Sequence, residues 1–124
     1  MTRILVVDDD EQITTLFEKY LKSGGYDTLS VNDSSLAVDI ALSFQPHLFI
    51  LDLMMPEPDG FKLCRQLRNY TRFSKTPILI VTALGDEDSK VVAFGAGAND
   101  YLIKPFFIDE LSSRVQSLLN KKEE

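Results

Sequence analysis

The chain has 124 residues, of which 44% are hydrophobic and 26% are charged, a composition typical of one soluble globular domain. The net charge of −6 disfavours direct nucleic-acid binding, because neutralising phosphates takes clustered Lys and Arg, and the single cysteine, Cys64, excludes an intrachain disulfide and a multi-cysteine zinc site. Only four apolar residues, Ile4–Val7, precede the first acids, so we expect neither a signal peptide nor a membrane span, and hence a cytoplasmic protein.

Short apolar runs alternate along the chain with stretches of helical spacing, a pattern that predicts repeated βα units and a parallel sheet. We predict one domain over residues 1–120, with residues 121–124 as a C-terminal tail or the start of a linker. In chain order the predicted elements are strand Ile4–Val7, a helix with Ile13, Leu16, Phe17, Tyr20 and Leu21, strand Thr28–Val31, a helix with Leu36, Ala37, Ile40 and Ala41, strand Leu48–Leu51, a helix with Leu63, Cys64 and Leu67, strand Ile78–Val81, a short helix near Glu87–Phe94, strand Tyr101–Ile103, and a helix with Ile108, Leu111, Val115, Leu118 and Leu119.

An acid, a hydroxyl or a lysine comes directly after four of the five predicted strands. Because right-handed crossovers point every strand of such a sheet in the same direction, the loops after the strands gather along one edge, where ligands bind. The residues that these loops carry are Asp8, Asp9, Asp10, Asp52, Thr82 and Lys104. The sequence therefore predicts a site at which acids, a hydroxyl and a lysine converge.

The three consecutive acids predict a metal site. Carboxylates that lie close together repel by roughly 1 kcal/mol in water and by more where water is scarce, so they favour a bound hard cation. Mg²⁺ fits best, because it prefers oxygen ligands and is held by one or two carboxylates together with a phosphate oxygen. We assign Asp8 and Asp9 to the metal, and Asp10 to capping the first helix. Alone, an acidic triplet is more typical of a helix cap than of a metal site.

Asp52 ends a buried apolar run at the same edge. A carboxylate is a competent nucleophile toward a phosphoryl group, and a divalent ion and a lysine, here Lys104, usually assist such a transfer. Simpler interpretations of three residues stay open at this point. Asp52 is equally typical of a turn or cap, Lys104 of a surface lysine beside a strand end, and Thr82 of a β-branched strand terminus rather than a hydroxyl donor to a phosphoryl oxygen.

Four segments of the chain form a specific set: Val6-Val7-Asp8-Asp9, Leu51–Pro56 with Asp59-Gly60, Pro77–Ala83 and Gly97–Phe106. Together they resemble the receiver domains of bacterial two-component response regulators, and among these the receivers of winged-helix transcription regulators. The similarity extends from Arg3 to about Leu119. It implies a single flavodoxin-like (βα)5 domain, with a five-stranded parallel sheet of order 2-1-3-4-5 and helices on both faces.

The resemblance also implies a phosphoacceptor and a metal site. Asp52 is implied as the residue that becomes 4-aspartylphosphate. With Asp52, the implied Mg²⁺ ligands are Asp9, Asp8 acting through water, and the backbone carbonyl of Met54.

The resemblance gives three further residues roles around the phosphoryl group. Lys104 and Thr82 are implied to hold it and so to act with Asp52 in catalysis. Thr82 and Tyr101 form the implied switch, in which Tyr101 turns inward when Thr82 moves. A simpler interpretation of Tyr101 is a partly buried strand-end aromatic with a solvated hydroxyl. By analogy, the Lys104-Pro105 peptide bond should be cis.

The implied function is a switch that takes a phosphoryl group from a histidine kinase or a histidine phosphotransfer protein and controls an output domain or partner through the Tyr101 and fourth-helix face. Such a domain is not an enzyme toward other substrates and catalyses only its own phosphorylation and dephosphorylation.

A Mg²⁺-dependent phosphohydrolase is disfavoured because Met54 stands where its general acid would be. An interaction module without phosphorylation is disfavoured because the acids, the threonine and the lysine are all present. A phosphorylation-dependent homodimer stays open, because Ser89 and Gly95 replace acids that those relatives usually carry at their dimer face.

Overall fold

The computed structural model describes residues 1–121, which form five strands, five α-helices and two short 3₁₀ turns. In chain order these are β1 (Arg3–Val7), α1 (Glu11–Ser23), β2 (Asp27–Val31), a 3₁₀ turn (Ser34–Leu36), α2 (Ala37–Phe44), β3 (Leu48–Leu51), α3 (Gly60–Arg68), a 3₁₀ turn (Thr71–Phe73), β4 (Ile78–Thr82), α4 (Glu87–Ala96), β5 (Asp100–Ile103) and α5 (Ile108–Lys121). Every predicted strand and helix is confirmed. Helix α4 runs two residues past its predicted end, to Ala96, and is followed by Gly97, whose φ of 116° is the left-handed conformation that ends helices. Of the predicted tail, residues 122–124 lie outside the described residues.

All five strands are parallel and lie in the order β2-β1-β3-β4-β5, as predicted. The register places Val7 of β1 beside Leu51 of β3, and Thr82 of β4 beside Ile103 of β5. The residues of β3 and β4 are all buried, which explains their continuous aliphatic sequences. The loops that follow β1, β3, β4 and β5 therefore lie next to one another at one edge of the sheet.

Two apolar cores hold the helices against the two faces of this sheet. One face is covered by α1 and α5, and the other by α2, α3 and α4. Burying each large aliphatic or aromatic side chain contributes roughly 1.5–3 kcal/mol. Cys64 of α3 is 1% exposed, which confirms its predicted core position. Burial raises the pKa of its thiol, so the thiol stays protonated and poorly reactive.

Arg68 ties the end of α3 to the end of α4 and to the entrance of β4. Its guanidinium donates to the backbone carbonyl of Gly97 from Nη2 at 2.7 Å and from Nε at 3.1 Å, to the carbonyls of Phe73 and Thr76 at 2.7 and 2.6 Å, and to Oδ1 of Asn99 at 2.8 Å. These partners are neutral oxygens, and burial lowers the pKa of Arg68. A Cβ atom at Gly97 would lie 2.7 Å from Cγ of Arg68, so this junction is closely packed.

Helix α4 buries only small side chains. Its large apolar residues, Val91, Val92 and Phe94, are exposed by 67%, 48% and 45%, and its buried residues are Ala93 and Ala96. Small side chains bury little surface, so local opening of this helix costs less free energy than opening of α5. We expect amide hydrogens of α4 to exchange at least about tenfold faster than those of α5 in hydrogen-exchange mass spectrometry. Equal protection of the two helices would contradict this expectation.

Candidate functional site

The pairing of β1 with β3 brings two acids together. Val7 lies beside Leu51, so the residues that follow them, Asp8 and Asp52, leave the sheet as neighbours. Hydrogen bonds continue past the paired residues. The amide of Asp52 donates to the carbonyl of Val7 at 3.0 Å, and the amide of Asp8 donates to the carbonyl of Val31 at 3.1 Å. Both carboxylates are thus carried by well-ordered backbone, and the two residues are only 3% and 7% exposed.

Asp9 completes an acidic cluster with these two residues. One carboxylate oxygen from each of Asp8, Asp9 and Asp52 lies within 4.8 Å of the others, and Asp9 is the exposed member. Asp10 points elsewhere, because its carboxylate accepts hydrogen bonds from the first amides of α1, including that of Gln12 at 2.9 Å. The predicted helix cap at Asp10 is confirmed, and the remaining three acids form a group that could hold a metal ion.

Lys104 reaches into this cluster from the loop after β5. Its Nζ lies 2.8 Å from Oδ2 of Asp8 and 3.3 Å from Oδ2 of Asp52, and its side chain is only 19% exposed. The backbone amide of Lys104 donates to the carbonyl of Thr82 at 2.8 Å, which fixes the loop against β4. The Lys104-Pro105 peptide bond has the cis form that the resemblance implies. The surface-lysine interpretation is therefore wrong.

The protonation behaviour of this group follows from burial and charge. Burial raises the pKa of Asp8, although hydrogen bonds from Lys104 and from the amide of Asp10 act in the opposite direction. For Lys104, burial acts to lower the pKa, but the hydrogen bond to Asp8 and the charges of Asp52 and Asp8 outweigh it, and the pKa is raised. The site therefore holds a firmly protonated lysine beside carboxylates that repel one another.

Two residues to which the sequence analysis assigned no role support the acids. The side-chain amide of Asn32 donates to the carbonyl of Asp8 and to the hydroxyl of Thr14, both at 2.9 Å. Gly60, the first residue of α3, leaves no room for a side chain, because a Cβ atom there would lie 2.1 Å from the carbonyl oxygen of Asp52. The sequence carried a signal for Gly60 in the Asp59-Gly60 pair, whereas nothing near Asn32 in the chain points to its partners.

Thr82 and Tyr101 are both bonded to the loop after β4. Thr82 is completely buried, and its hydroxyl oxygen accepts a hydrogen bond from the amide of Leu84 at 3.4 Å. The hydroxyl of Tyr101 donates to the carbonyl of Leu84 at 2.6 Å, and the residue is only 7% exposed. The simpler interpretation of Tyr101, with a solvated hydroxyl, is therefore wrong for this structure, because the hydroxyl donates to a backbone carbonyl and the residue is buried.

The backbone of Met54, and not its side chain, contacts the acidic cluster. Its amide donates to Oδ1 of Asp52 at 3.2 Å, while its side chain is largely exposed. The hydrogen bond from the Met54 amide to the Asp52 carboxylate is typical of an aspartate in a turn, which explains why Asp52 also fits the simpler interpretation. The carbonyl of Met54 as a metal ligand stays a prediction.

Comparison with known proteins decides the family. A family model described as the response regulator receiver domain matches residues 4–116. The chain belongs to this family. It is a receiver domain of a two-component response regulator, which confirms the fold and the family that its sequence motifs predicted.

Two curated relatives are transcription regulators. The receiver domain is 42% identical over 121 residues to the DNA-binding dual master transcriptional regulator RpaA of Synechocystis sp., and 40% identical over 121 residues to the alkaline phosphatase synthesis transcriptional regulatory protein PhoP of Bacillus subtilis. Each match covers 98% of this chain and 50% of the relative, so the chain spans about half the length of these proteins. A crystal structure described as a response regulator from Chloroflexus aurantiacus matches with a TM-score of 0.90 at 36% identity, over 96% of this chain and 98% of that one.

The receiver domain's acidic cluster fits a hard divalent cation. Three carboxylates and one ammonium carry a formal charge of about −2, which one divalent ion would neutralise. All the side-chain donors are carboxylate oxygens, which suit Mg²⁺ and not a soft metal. The exposed position of Asp9 leaves the cluster open on one side for water or a phosphate oxygen.

Mg²⁺ should stabilise the wild-type domain through this cluster. A ligand that binds only the folded state contributes about 2.7 kcal/mol at a concentration of 100 times its Kd, so Mg²⁺ well above its Kd should raise the melting temperature measurably. The Asp9→Asn variant should lose most of that response, because Asp9 is the exposed carboxylate of the cluster. Asp39→Asn, which changes an exposed acid of α2, should keep it. Thermal melts with and without Mg²⁺ test this, and an undiminished response in Asp9→Asn would remove Asp9 from the ligand set.

Proposed function

We propose that this receiver domain accepts a phosphoryl group on Asp52 in a Mg²⁺-dependent reaction and thereby switches the surface formed by Tyr101 and α4. One observation carries the proposal: a buried Asp52 carboxylate lies beside Lys104 Nζ at 3.3 Å and within the same cluster as Asp8 and Asp9. Phosphoryl transfer needs mainly positioning and charge neutralisation, and this arrangement supplies both.

The proposed reaction is an in-line displacement. A carboxylate oxygen of Asp52 attacks phosphorus, a P–O bond forms, and the P–N bond of a phosphohistidine breaks with return of the electron pair to the imidazole. Asp8, Asp9, Asp52 and the carbonyl of Met54 would hold Mg²⁺. When bound, the ion would neutralise charge on the phosphoryl oxygens. Lys104 would bind another phosphoryl oxygen through its ammonium group.

Thr82 is proposed to report the modification to the surface. Its hydroxyl can donate a hydrogen bond to a phosphoryl oxygen, since in the described structure the hydroxyl oxygen acts only as an acceptor from Leu84. The loop that would follow Thr82 also carries the carbonyl bonded to the Tyr101 hydroxyl. A shift of Thr82 would therefore alter the packing of Tyr101 against α4, where its ring centroid lies 6.2 Å from that of Phe94.

The proposed partners follow from this chemistry. The phosphoryl donor would be a histidine kinase or a histidine phosphotransfer protein, and the recipient of the signal an output domain or a partner protein at the Tyr101 and α4 face. A phosphorylation-dependent homodimer at that face is a further proposal. Among residues 1–121, no helix is long and apolar enough to cross a bilayer. We propose a cytoplasmic domain that catalyses only its own phosphorylation and dephosphorylation.

Incubation with acetyl phosphate and Mg²⁺ tests the proposed function. We expect intact mass to increase by one phosphoryl group in the wild type, and no increase in EDTA or in Asp52→Asn, because the nucleophile and the neutralising ion are then missing. Asp39→Asn is the matched control, since it removes one exposed acid and should be phosphorylated normally. Phosphorylation of Asp52→Asn, or of the wild type in EDTA, would overturn the assignment.

A further inference from the structure

A groove opens at the end of the sheet opposite the acidic cluster. It has a volume of about 700 Å³ and lies where the chain enters β1, β3 and β4. Arg3, at the start of β1, lines the groove, whereas Asp8 follows the end of the same strand. A strand rises about 3.3 Å per residue, so the groove and the acids are separated by roughly 16 Å. The groove is therefore distinct from the proposed phosphorylation site.

The lining of this groove is basic, although the chain as a whole is acidic. Arg3, Arg72 and Lys75 line it, and no Asp or Glu does, in a chain with 19 acidic residues and 13 Lys and Arg. Within residues 1–121, none of these three cations forms an ion pair. Arg68 adds a fourth positive charge close to the groove. Its position follows from its hydrogen bonds to the carbonyls of two lining residues, Phe73 and Thr76. The groove thus concentrates positive charge without a matching carboxylate.

Helix capping accounts for only part of this charge. Arg3 Nε donates to the carbonyls of Phe44 and Gln45 at 2.9 and 3.0 Å, and Arg72 Nη1 donates to that of Leu42 at 3.0 Å. These carbonyls end α2, and the end of a helix carries about −0.5 of an elementary charge at most. Three formal positive charges exceed that value by about 2.5. The excess is charge that an anionic ligand would neutralise.

We propose that this groove binds an acidic segment of a partner polypeptide, whose carboxylates pair with Arg3, Arg72 and Lys75. A guanidinium group binds a carboxylate with two parallel hydrogen bonds, and a concave wall of one sign strengthens the local potential. The volume falls within the range of about 300–1,000 Å³ found for ligand sites, so one small anion would fill little of it. Pro46 and Phe73 also line the groove, but both are buried, so charge pairing with the three cations would supply most of the binding free energy.

Fluorescence anisotropy with a labelled hexapeptide of alternating glutamate and leucine tests the proposal at low ionic strength. The Arg72→Glu/Lys75→Glu variant should raise the Kd at least about tenfold, which corresponds to about 1.4 kcal/mol. The control Lys19→Glu/Arg65→Glu reverses two exposed cations outside the groove and should stay within about twofold of the wild type. Both substituted pairs are exposed, so we expect folding to be retained, and thermal melts check it. Lys75→Glu alone should raise the Kd about threefold, and it leaves the hydrogen bonds to α2 intact.

Three results would overturn the proposal. The first is the absence of wild-type binding to the glutamate peptide, or equal binding of its glutamine analogue. The second is a loss in the control variant as large as that in Arg72→Glu/Lys75→Glu, which would indicate an effect of net charge alone. The third is tighter binding of inorganic phosphate or a single-stranded oligonucleotide than of the peptide. These measurements use unphosphorylated protein, so their outcome is independent of the function proposed for Asp52.

Discussion

Replacing Lys104 with Met should lower the free energy of unfolding by about 3 kcal/mol in Mg²⁺-free buffer. The described ion pairs of Asp8 and Asp52 both go to Lys104, and both carboxylates are buried. Removing one partner of a buried ion pair costs about 3–5 kcal/mol because the other charge is left uncompensated. We expect the lower end of this range, since the Lys104 side chain is 19% exposed and water can reach the site.

Urea unfolding of wild type and Lys104→Met, with and without Mg²⁺, measures this effect. Mg²⁺ should recover part of the loss, because the ion would replace the missing positive charge beside the acids. Lys62→Met is the matched control: its pair with Glu57 at 2.8 Å joins two exposed side chains, so its removal should cost far less than that of Lys104. Equal losses in the two variants would mean that Lys104 does not neutralise the buried acids.

The raised pKa of Lys104 adds a pH dependence to this prediction. A lysine whose pKa is higher in the folded than in the unfolded state contributes stability that is fully present below its ordinary pKa of 10.5. That contribution is lost as the pH rises through the folded-state pKa. The free energy of unfolding of Lys104→Met should therefore fall less steeply above pH 10.5 than that of the wild type.

Substituting Ala for Gly60 should destabilise the domain by about 3 kcal/mol or more. The added Cβ atom would lie 2.1 Å from the carbonyl oxygen of Asp52 and 2.6 Å from Cα of Leu53. Both are backbone atoms, so no side-chain rotation can relieve the overlap, and the loop that carries Asp52 must move. Overpacking typically costs about 1–3 kcal/mol, which places this rigid contact at the top of the range. The higher helix propensity of Ala, about 1 kcal/mol, is too small to offset it.

Gly95→Ala in α4 is the matched control for this substitution. A Cβ atom there meets none of the described residues within 4 Å, so the same change should stabilise the domain by about 0.5–1 kcal/mol. Gly60→Ala should also slow phosphorylation by acetyl phosphate, because the acceptor carboxylate is displaced, whereas Gly95→Ala should not. A Gly60→Ala variant as stable as the wild type would show that the β3–α3 connection can relax.

The sequence was sufficient to predict the strands and the edge at which the site lies. Continuous aliphatic runs mark buried parallel strands, and parallel strands all present their carboxyl ends at one edge. The sequence therefore predicts that Asp8, Asp52 and Lys104 lie close together, although they are far apart in the chain. The structure adds their distances and shows that Asp52 also accepts a hydrogen bond from Met54, so its turn role and its proposed chemical role coexist.

Contacts between elements that are distant in the chain could not be predicted. The hydrogen bond of Asn32 to the Asp8 carbonyl joins residues 24 apart, and those of Arg68 to Gly97 join residues 29 apart. Neither the periodicity nor the local turn chemistry of a single sequence indicates which distant residues will be hydrogen-bonded. Those contacts depend on how the helices and strands pack in three dimensions. The same holds for the basic groove, since Arg3 and Arg72 meet only through the pairing of β1, β3 and β4 and the helix ends beside them.

The hydrogen bonds of Arg68 hold only one end of α4. Two of them end on the carbonyl of Gly97, whereas the opposite end of the helix is capped by Asp86, whose hydrogen bonds are local and exposed. Ten residues make a rod of roughly 15 Å, so a rotation of about 10° about the fixed end would move the first turn by about 2.6 Å. Val91, halfway along, would move by about half as much. If the Leu84 loop moves as proposed, a pivot of α4 at Gly97 would shift its exposed apolar residues by distances that increase from Gly97 toward the first turn.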